Sequence, residues 1–209
     1  TKDAKCEYIE IKKTKVVVLN DREDCFNCGT ERVLSILADW FGELEVKEID
    51  YDIKEGNELA GSMGVRMLPA YIIYGNITDD PEFTKFRRAF ISKSNAYVLS
   101  EDAAASTLYF QRESVPNKLD LFAKEGDSAT LKAENNLKEF LENFPYADYD
   151  IHYADDSLTK ELGIKAFPTF LVNNRVKFSG IRTAETIKDN FCSLNKVEEC
   201  RKELSSNLV

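Results

Sequence analysis

Six residues occur twice in this chain at one spacing, and that repetition constrains the fold more than any other feature. Gly64-Val65-Arg66-Met67-Leu68-Pro69 and Gly163-Ile164-Lys165-Ala166-Phe167-Pro168 share a glycine, a β-branched residue, a cation, two further residues and a proline. An ordered repeat of this kind marks one supersecondary unit used twice. Each copy follows a short helical stretch, Asn57–Met63 or Leu158–Leu162, and precedes an apolar run, Ala70–Tyr74 or Thr169–Val172. Proline cannot donate to a sheet ladder, so each proline marks the beginning of a strand. A proline directly before a buried strand is also a candidate cis bond.

The elements around each copy repeat in the same order. In the first, Val16–Leu19 reads as a strand buried on both faces. Thr30–Phe41 carries Val33, Leu34, Ile36, Leu37, Trp40 and Phe41 at helical spacing, and Leu44–Tyr51 alternates as a strand. That order favours parallel pairing through a right-handed crossover. In the second, Leu119–Phe122 is a strand, Thr130–Phe144 a helix, Tyr149–Tyr153 a strand, and Asn173-Asn174 a hairpin turn before Arg175–Phe178. Thr183–Leu194 is the closing helix, and residues 7–11 are a candidate edge strand. Asp79-Asp80-Pro81 reads as a helix start, with Phe83, Phe86 and Phe90 following at helical spacing. Ala96–Leu99 and Thr107–Phe110 read as two strands around Ser100-Glu101-Asp102, either an added hairpin or the last strands of the first half. The 209 residues suit two domains, 1–115 and 116–209, meeting at Val115-Pro116-Asn117-Lys118. The fold class is α/β, with a central mixed sheet flanked by helices in each half.

Between the first strand and its helix lies Asp24-Cys25-Phe26-Asn27-Cys28-Gly29. Two cysteines three apart can close a small disulfide. Cys25 is expected near the helix N-terminus, where unpaired N–H groups and the dipole stabilise a thiolate. Cys28 is expected one turn in, more covered, and placed to resolve a mixed disulfide. The same spacing serves structural disulfides and half-zinc sites. Zinc needs two further thiolates or imidazoles. The one histidine, His152, falls in the other half on a strand face and reads as a surface residue. Aligning the first strands sets Ser128 and Leu131 opposite Cys25 and Cys28. A serine hydroxyl does not cycle with a disulfide, so the second half is expected to be redox-inert and to serve packing or partner binding.

A Cys-x-x-Cys on a strand–helix joint, with the Gly64–Pro69 approach downstream, resembles the thioredoxin superfamily. The resemblance implies two tandem thioredoxin-like domains, as in protein disulfide isomerases and archaeal protein disulfide oxidoreductases. The chain departs from both in having a single Cys-x-x-Cys. It implies a thiol–disulfide oxidoreductase working through Cys25 and Cys28, without metal or organic cofactor. Partners would be protein thiols and disulfides and an unidentified redox partner. The proline loop, Leu68 and Pro69, would offer backbone groups to a bound peptide, with Phe26 and Asn27 as further substrate-contacting positions. Phe26-Asn27 matches neither the Gly-Pro of thioredoxin nor the Gly-His of disulfide isomerase. Asp24 and Leu19 stand where thioredoxin has a tryptophan and a buried aspartate. The alternative is a redox-inactive, substrate-binding or chaperone-like module with a static disulfide.

A net charge of −9 argues against nucleic acid as a partner, since phosphates need a basic surface. Asp21, Glu23 and Asp24 oppose thiolate formation at Cys25 while the helix end favours it, so a moderately acidic thiol is expected. No run of 18 apolar residues exists to span a membrane. Cys192 and Cys200 would stand about 12 Å apart on one straight helix, too far for a disulfide. They can join only if the helix breaks, and Ser193-Leu194-Asn195 offers the break. A structural bridge there implies an oxidising compartment. Residues 1–5 carry no apolar signal region, so the chain is cytosolic or has lost a leader. The bridge favours an extracytoplasmic location.

Overall fold

The computed structural model describes residues 13–21, 25 and 27–208. Cys6 and the expected edge strand over residues 7–11 lie outside the described residues. The chain divides into two compact units between Ser106 and Thr107. Each holds a mixed sheet flanked by helices, an arrangement consistent with thioredoxin-like folds.

The first unit runs β1 (Thr14–Asn20), α1 (Glu31–Phe41), β2 (Leu44–Asp50), α2 (Lys54–Met63), β3 (Ala70–Tyr74), α3 (Pro81–Phe86), β4 (Phe90–Ser92) and β5 (Ala96–Leu99). Its sheet order is β2-β1-β3-β5-β4. β1 pairs parallel with β2 and antiparallel with β3. The central place of β1 explains its unbroken apolar run. Val16 and Val18 pack under Val33, Leu37 and Phe41 of α1, beside Tyr71 and Ile73 of β3. α2 starts at Lys54, earlier than expected, and stops at Gly64, whose φ of 64° favours glycine. The Leu68–Pro69 peptide is cis, and β3 begins just after it. The Asp80 side chain accepts from Glu82 N–H at 2.8 Å and caps α3, with Pro81 at the first helical position. The helical pattern extends to Phe90, but the helix ends at Phe86. Ala89 O accepts from Ser100 N–H at 2.7 Å, and Phe90 pairs with Leu99 as a short strand.

The second unit runs β6 (Lys118–Ala123), α4 (Ser128–Asn143), β7 (Asp148–Tyr153), α5 (Ser157–Leu162), β8 (Thr169–Val172), β9 (Val176–Ser179) and α6 (Ala184–Leu194). The sheet order is β7-β6-β8-β9. Leu119, Leu121, Phe170 and Val172 pack against Leu137, Phe140 and Phe144 of α4 and Ile187 and Phe191 of α6. Gly163 ends α5 with φ 66°, and the Phe167–Pro168 peptide is cis. Asn173 and Asn174 both take positive φ in the β8–β9 connection, the conformation their short polar side chains tolerate.

The division falls before the expected boundary at Val115. Thr107–Val115 is tied to the second unit through its backbone. Lys177 N–H donates to Thr107 O at 2.9 Å, Tyr109 N–H to Arg175 O at 2.8 Å, and Val115 N–H to Asn173 O at 3.1 Å. Thr107–Phe110 therefore forms no hairpin with β5; Leu108 makes an isolated bridge to Val176.

α6 ends at Leu194, and Asn195 turns the chain with φ −125° and ψ 122°. Asn195 is buried, and its amide exchanges hydrogen bonds with Asn173 at 2.9 and 3.1 Å. The break returns the chain as a 3-10 turn over Glu198–Arg201, and Cys192 and Cys200 join in a disulfide at a Cα separation of 5.8 Å.

Candidate redox site

β1 delivers the chain to the site at Asn20. The Leu19–Ala70 pair ends its register with β3, while Asn20 still pairs with Asp50 of β2, so Asn20 and Pro69 lie at the same end of the sheet. Beyond Asn20, Cys25 and Cys28 are joined by a disulfide with Cα atoms 5.4 Å apart. Asp24 and Phe26 lie outside the described residues, as does Glu23; Asn27 is an exposed turn residue.

The helix does not begin where the sequence suggests. Thr30 is the cap residue of α1 and Glu31 its first residue, so both cysteines precede the helix. Cys28 is not one turn in, nor more covered than Cys25; each is 7% exposed. Asn20 holds this segment to β1: its Nδ2 donates to Cys28 O at 3.2 Å. In the second unit the corresponding strand end is Ala123, which has no amide to offer. There the helix starts at Ser128, the residue aligned with Cys25, and Asp127 caps it by accepting from Thr130 N–H at 3.0 Å. Leu131, aligned with Cys28, is an exposed residue of α4.

Asn20 Nδ2 also donates to Glu48 Oε1 at 3.3 Å, and Asn20 Oδ1 accepts from Asp21 N–H at 3.0 Å. Asn20, Glu48, Ile49 and Asp50 line a cavity of about 200 Å³ beside the disulfide loop. Tyr71 lies on the same side of the sheet, fully buried, and its hydroxyl has no hydrogen-bond partner among the described residues. Burial holds its phenol well above the ordinary range, reinforced by the Glu31 and Glu48 carboxylates. Leu68 and Pro69 are buried, and Pro69 O accepts from Ser106 Oγ at 2.8 Å. A contact from Leu68 to a bound segment would therefore use its backbone.

His152 departs from the surface reading. Its ring stacks on Phe122 at 5.0 Å, and Nε2 lies 3.0 Å from Oδ1 of the buried Asp120. Desolvation raises the Asp120 pKa, against the opposing pull of His152 and Lys118. Asp120, Asp150 and His152 stand close enough to share a cation, but the Lys118 ammonium occupies that place, 3.0 Å from Asp150 Oδ2 and 3.7 Å from Asp120 Oδ1. Asn20, Glu48, Tyr71 and Asp120 carry no motif, and sequence spacing does not single them out. A polar residue closing or interrupting an apolar strand, as Asn20 and Asp120 do, is the only signal.

No family model and no curated protein matches the sequence. Solved structures similar to it include ERdj5 form I, at 10% identity and a TM-score of 0.22 over 89% of this chain and 28% of that one. Full-length ERdj5 is similar at 10% identity and 0.23, over 88% and 30% of the two chains. A mutant of the alkylhydroperoxide reductase component AhpF from Enterococcus faecalis V583 is similar at 13% identity and 0.28, over 88% and 90%. The chain thus spans less than a third of the ERdj5 length. Likenesses this weak establish no kinship. Among the described residues no helix is long and apolar enough to cross a membrane.

Proposed function

We propose that this chain is a thiol–disulfide oxidoreductase acting on protein substrates through Cys25 and Cys28, built from two tandem thioredoxin-like domains of which only the first is redox-active. The observation that carries the reading is the Cys25–Cys28 disulfide, set on the loop between β1 and α1 at the sheet end where Pro69 also lies. In the reducing direction, Cys25 thiolate attacks one sulfur of a substrate disulfide and the other leaves as a thiolate. Cys28 thiolate then attacks Cys25 sulfur and expels the second substrate thiolate. The substrate gains two electrons, the pair loses two, and no cofactor enters. Leu68, Pro69 and Asn27, with Phe26, are the proposed contacts for the substrate segment. The Cys192–Cys200 bridge supports a location outside the cytoplasm.

One observation favours the second reading, a static disulfide in a binding module. Cys25 and Cys28 are both 7% exposed, so little of either cysteine faces solvent. Insulin reduction separates the two. The proposal expects activity in the parent and none in Cys25→Ser. No activity in the parent selects the binding module, and activity that survives Cys25→Ser removes Cys25 from the mechanism.

A further inference from the structure

β7 is the outermost strand of the second sheet, with β6 on one side and no strand of the described residues on the other. One hydrogen bond fixes which way its backbone points. Asp148 N–H donates to Asn117 O at 2.9 Å, so Asp148, Asp150 and His152 turn their backbone groups toward β6. Ala147, Tyr149, Ile151 and Tyr153 therefore turn theirs outward. Both ends of this outer row are in use. Ala147 N–H donates to Phe144 O at 3.0 Å, Tyr153 N–H donates to Asp156 Oδ2 at 2.7 Å, and Tyr153 O accepts from Thr159 Oγ1 at 2.8 Å. Tyr149 and Ile151 lie between, and among the described residues nothing bonds their outward N–H and C=O. Both side chains are exposed, on the sheet face that α4 covers further in. Unpaired edge groups beside exposed apolar side chains are a template for another strand.

We propose that β7 docks antiparallel on β7 of a second copy of this chain, about a two-fold axis between the two Asp150 residues. In this register the unpaired stretch is its own complement. Tyr149 faces Ile151 of the second copy and Ile151 faces its Tyr149, an aromatic side chain against a β-branched one on each side of the axis. The outward N–H and C=O of both residues then pair across the contact. On the other face Asp148 meets His152 of the second copy instead of a carboxylate. Asp150 meets its own counterpart, each charge offset by a Lys118 Nζ at 3.0 Å. Moving the axis to Ile151 sets Tyr149 against Tyr153, whose backbone groups are taken. Moving it to Tyr149 sets Ile151 against Ala147, whose N–H is taken. A contact that uses one patch twice closes on itself, so it covers the edge without building a fibre.

Sedimentation equilibrium of the full oxidised chain tests the contact. The chain is expected to be chiefly dimeric at about 100 μM, and Ile151→Lys, which sets a cation into the apolar pair, to weaken the dimer at least about tenfold. Ile151 is exposed, and hydrogen exchange of the β6 and β8 amides checks that the variant keeps its fold. Asp150→Cys in a Cys6→Ser chain reads the register. Opposed residues at a non-hydrogen-bonded site stand about 4.5 Å apart at Cα, within reach of a disulfide. Asp150→Cys is therefore expected to crosslink two chains under air, and Glu142→Cys, exposed on α4, is not. A monomer at that concentration, a dimer that Ile151→Lys leaves intact, or no crosslink in Asp150→Cys overturns the proposal. A monomer that binds a foreign extended peptide along β7 overturns the second copy as occupant. These readouts do not involve Cys25 or Cys28, so they stand or fall apart from insulin reduction.

Discussion

Replacing Asn20 by alanine tests how firmly the cysteine loop is held to the end of β1. The change removes the donor to Cys28 O, the donor to Glu48 and the acceptor for Asp21 N–H. A net protein hydrogen bond contributes about 1 kcal/mol, and a buried group that loses its partner costs about 1–3 kcal/mol. Asn20 is 6% exposed, so solvent replaces these bonds poorly. The expected loss is about 2–3 kcal/mol, confined to the first unit. Trp40, the single tryptophan, belongs to that unit and stacks on Phe86 at 4.3 Å, so its fluorescence in urea reports the first unit and not the second. The midpoint should fall with the slope unchanged. Asn20→Asp adds a second arm. Ionised, the new carboxylate cannot donate to Cys28 O and faces Glu48; protonated, it can donate. Its deficit should therefore shrink in acid. A loss below about 0.5 kcal/mol for the alanine variant, within the range of a neutral surface change, would refute the reasoning.

The remaining expectations concern separate parts of the molecule. Opening Cys192–Cys200, whose sequence separation is 8, frees a short loop worth about 2.5 kcal/mol by chain entropy. Hydrogen exchange should show the loss in the second unit only. Gly56→Ala puts a Cβ against the carbonyl oxygen and carbon of Asp50, and should cost about 1–3 kcal/mol by Trp40-monitored unfolding. The Asp120 pKa is raised above its ordinary 3.8, chiefly by desolvation, so its stabilising contribution is full below that value and lost as pH climbs through the raised one. Asp120→Asn should thus gain on the parent between acid and neutral pH in urea titrations followed by exchange. Glu185 runs the other way. A hydrogen bond from Lys188, then one from Leu204 N–H, hold its pKa below the ordinary 4.5, so its contribution is present above that value and disappears as pH falls through the lower one. Glu185→Gln should show a deficit at neutral pH that closes in acid.

What local chemistry decides was legible in the chain. Gly64 and Gly163 end helices in the left-handed region, Asp80-Pro81 starts one, Asn173-Asn174 turns, and a break after α6 brings Cys192 to Cys200. Each depends on neighbours a few residues away. What long-range hydrogen bonds decide was not. α1 starts at Glu31 and Asn20 reaches the Cys28 carbonyl from across the loop, and nothing between Cys25 and Thr30 signals either. The unit boundary precedes Val115 because backbone groups of Thr107 and Tyr109 pair with residues near 175, and backbone pairing leaves no side-chain signature. His152 read as exposed because its partner, Asp120, lies on a neighbouring strand amid the apolar run Leu119, Leu121 and Phe122, where no spacing links the two.

The central claim is that Cys25 exchanges its sulfur bond with another protein. Cys28→Ser protein, reduced and mixed with insulin, leaves any mixed disulfide at Cys25 unresolved, and peptide mapping by mass spectrometry reads the linkage. The account predicts a covalent adduct joined through Cys25 and none in Cys25→Ser. No adduct in Cys28→Ser, with the parent's Cys25–Cys28 bond persisting in the folded protein under dithiothreitol, would contradict it.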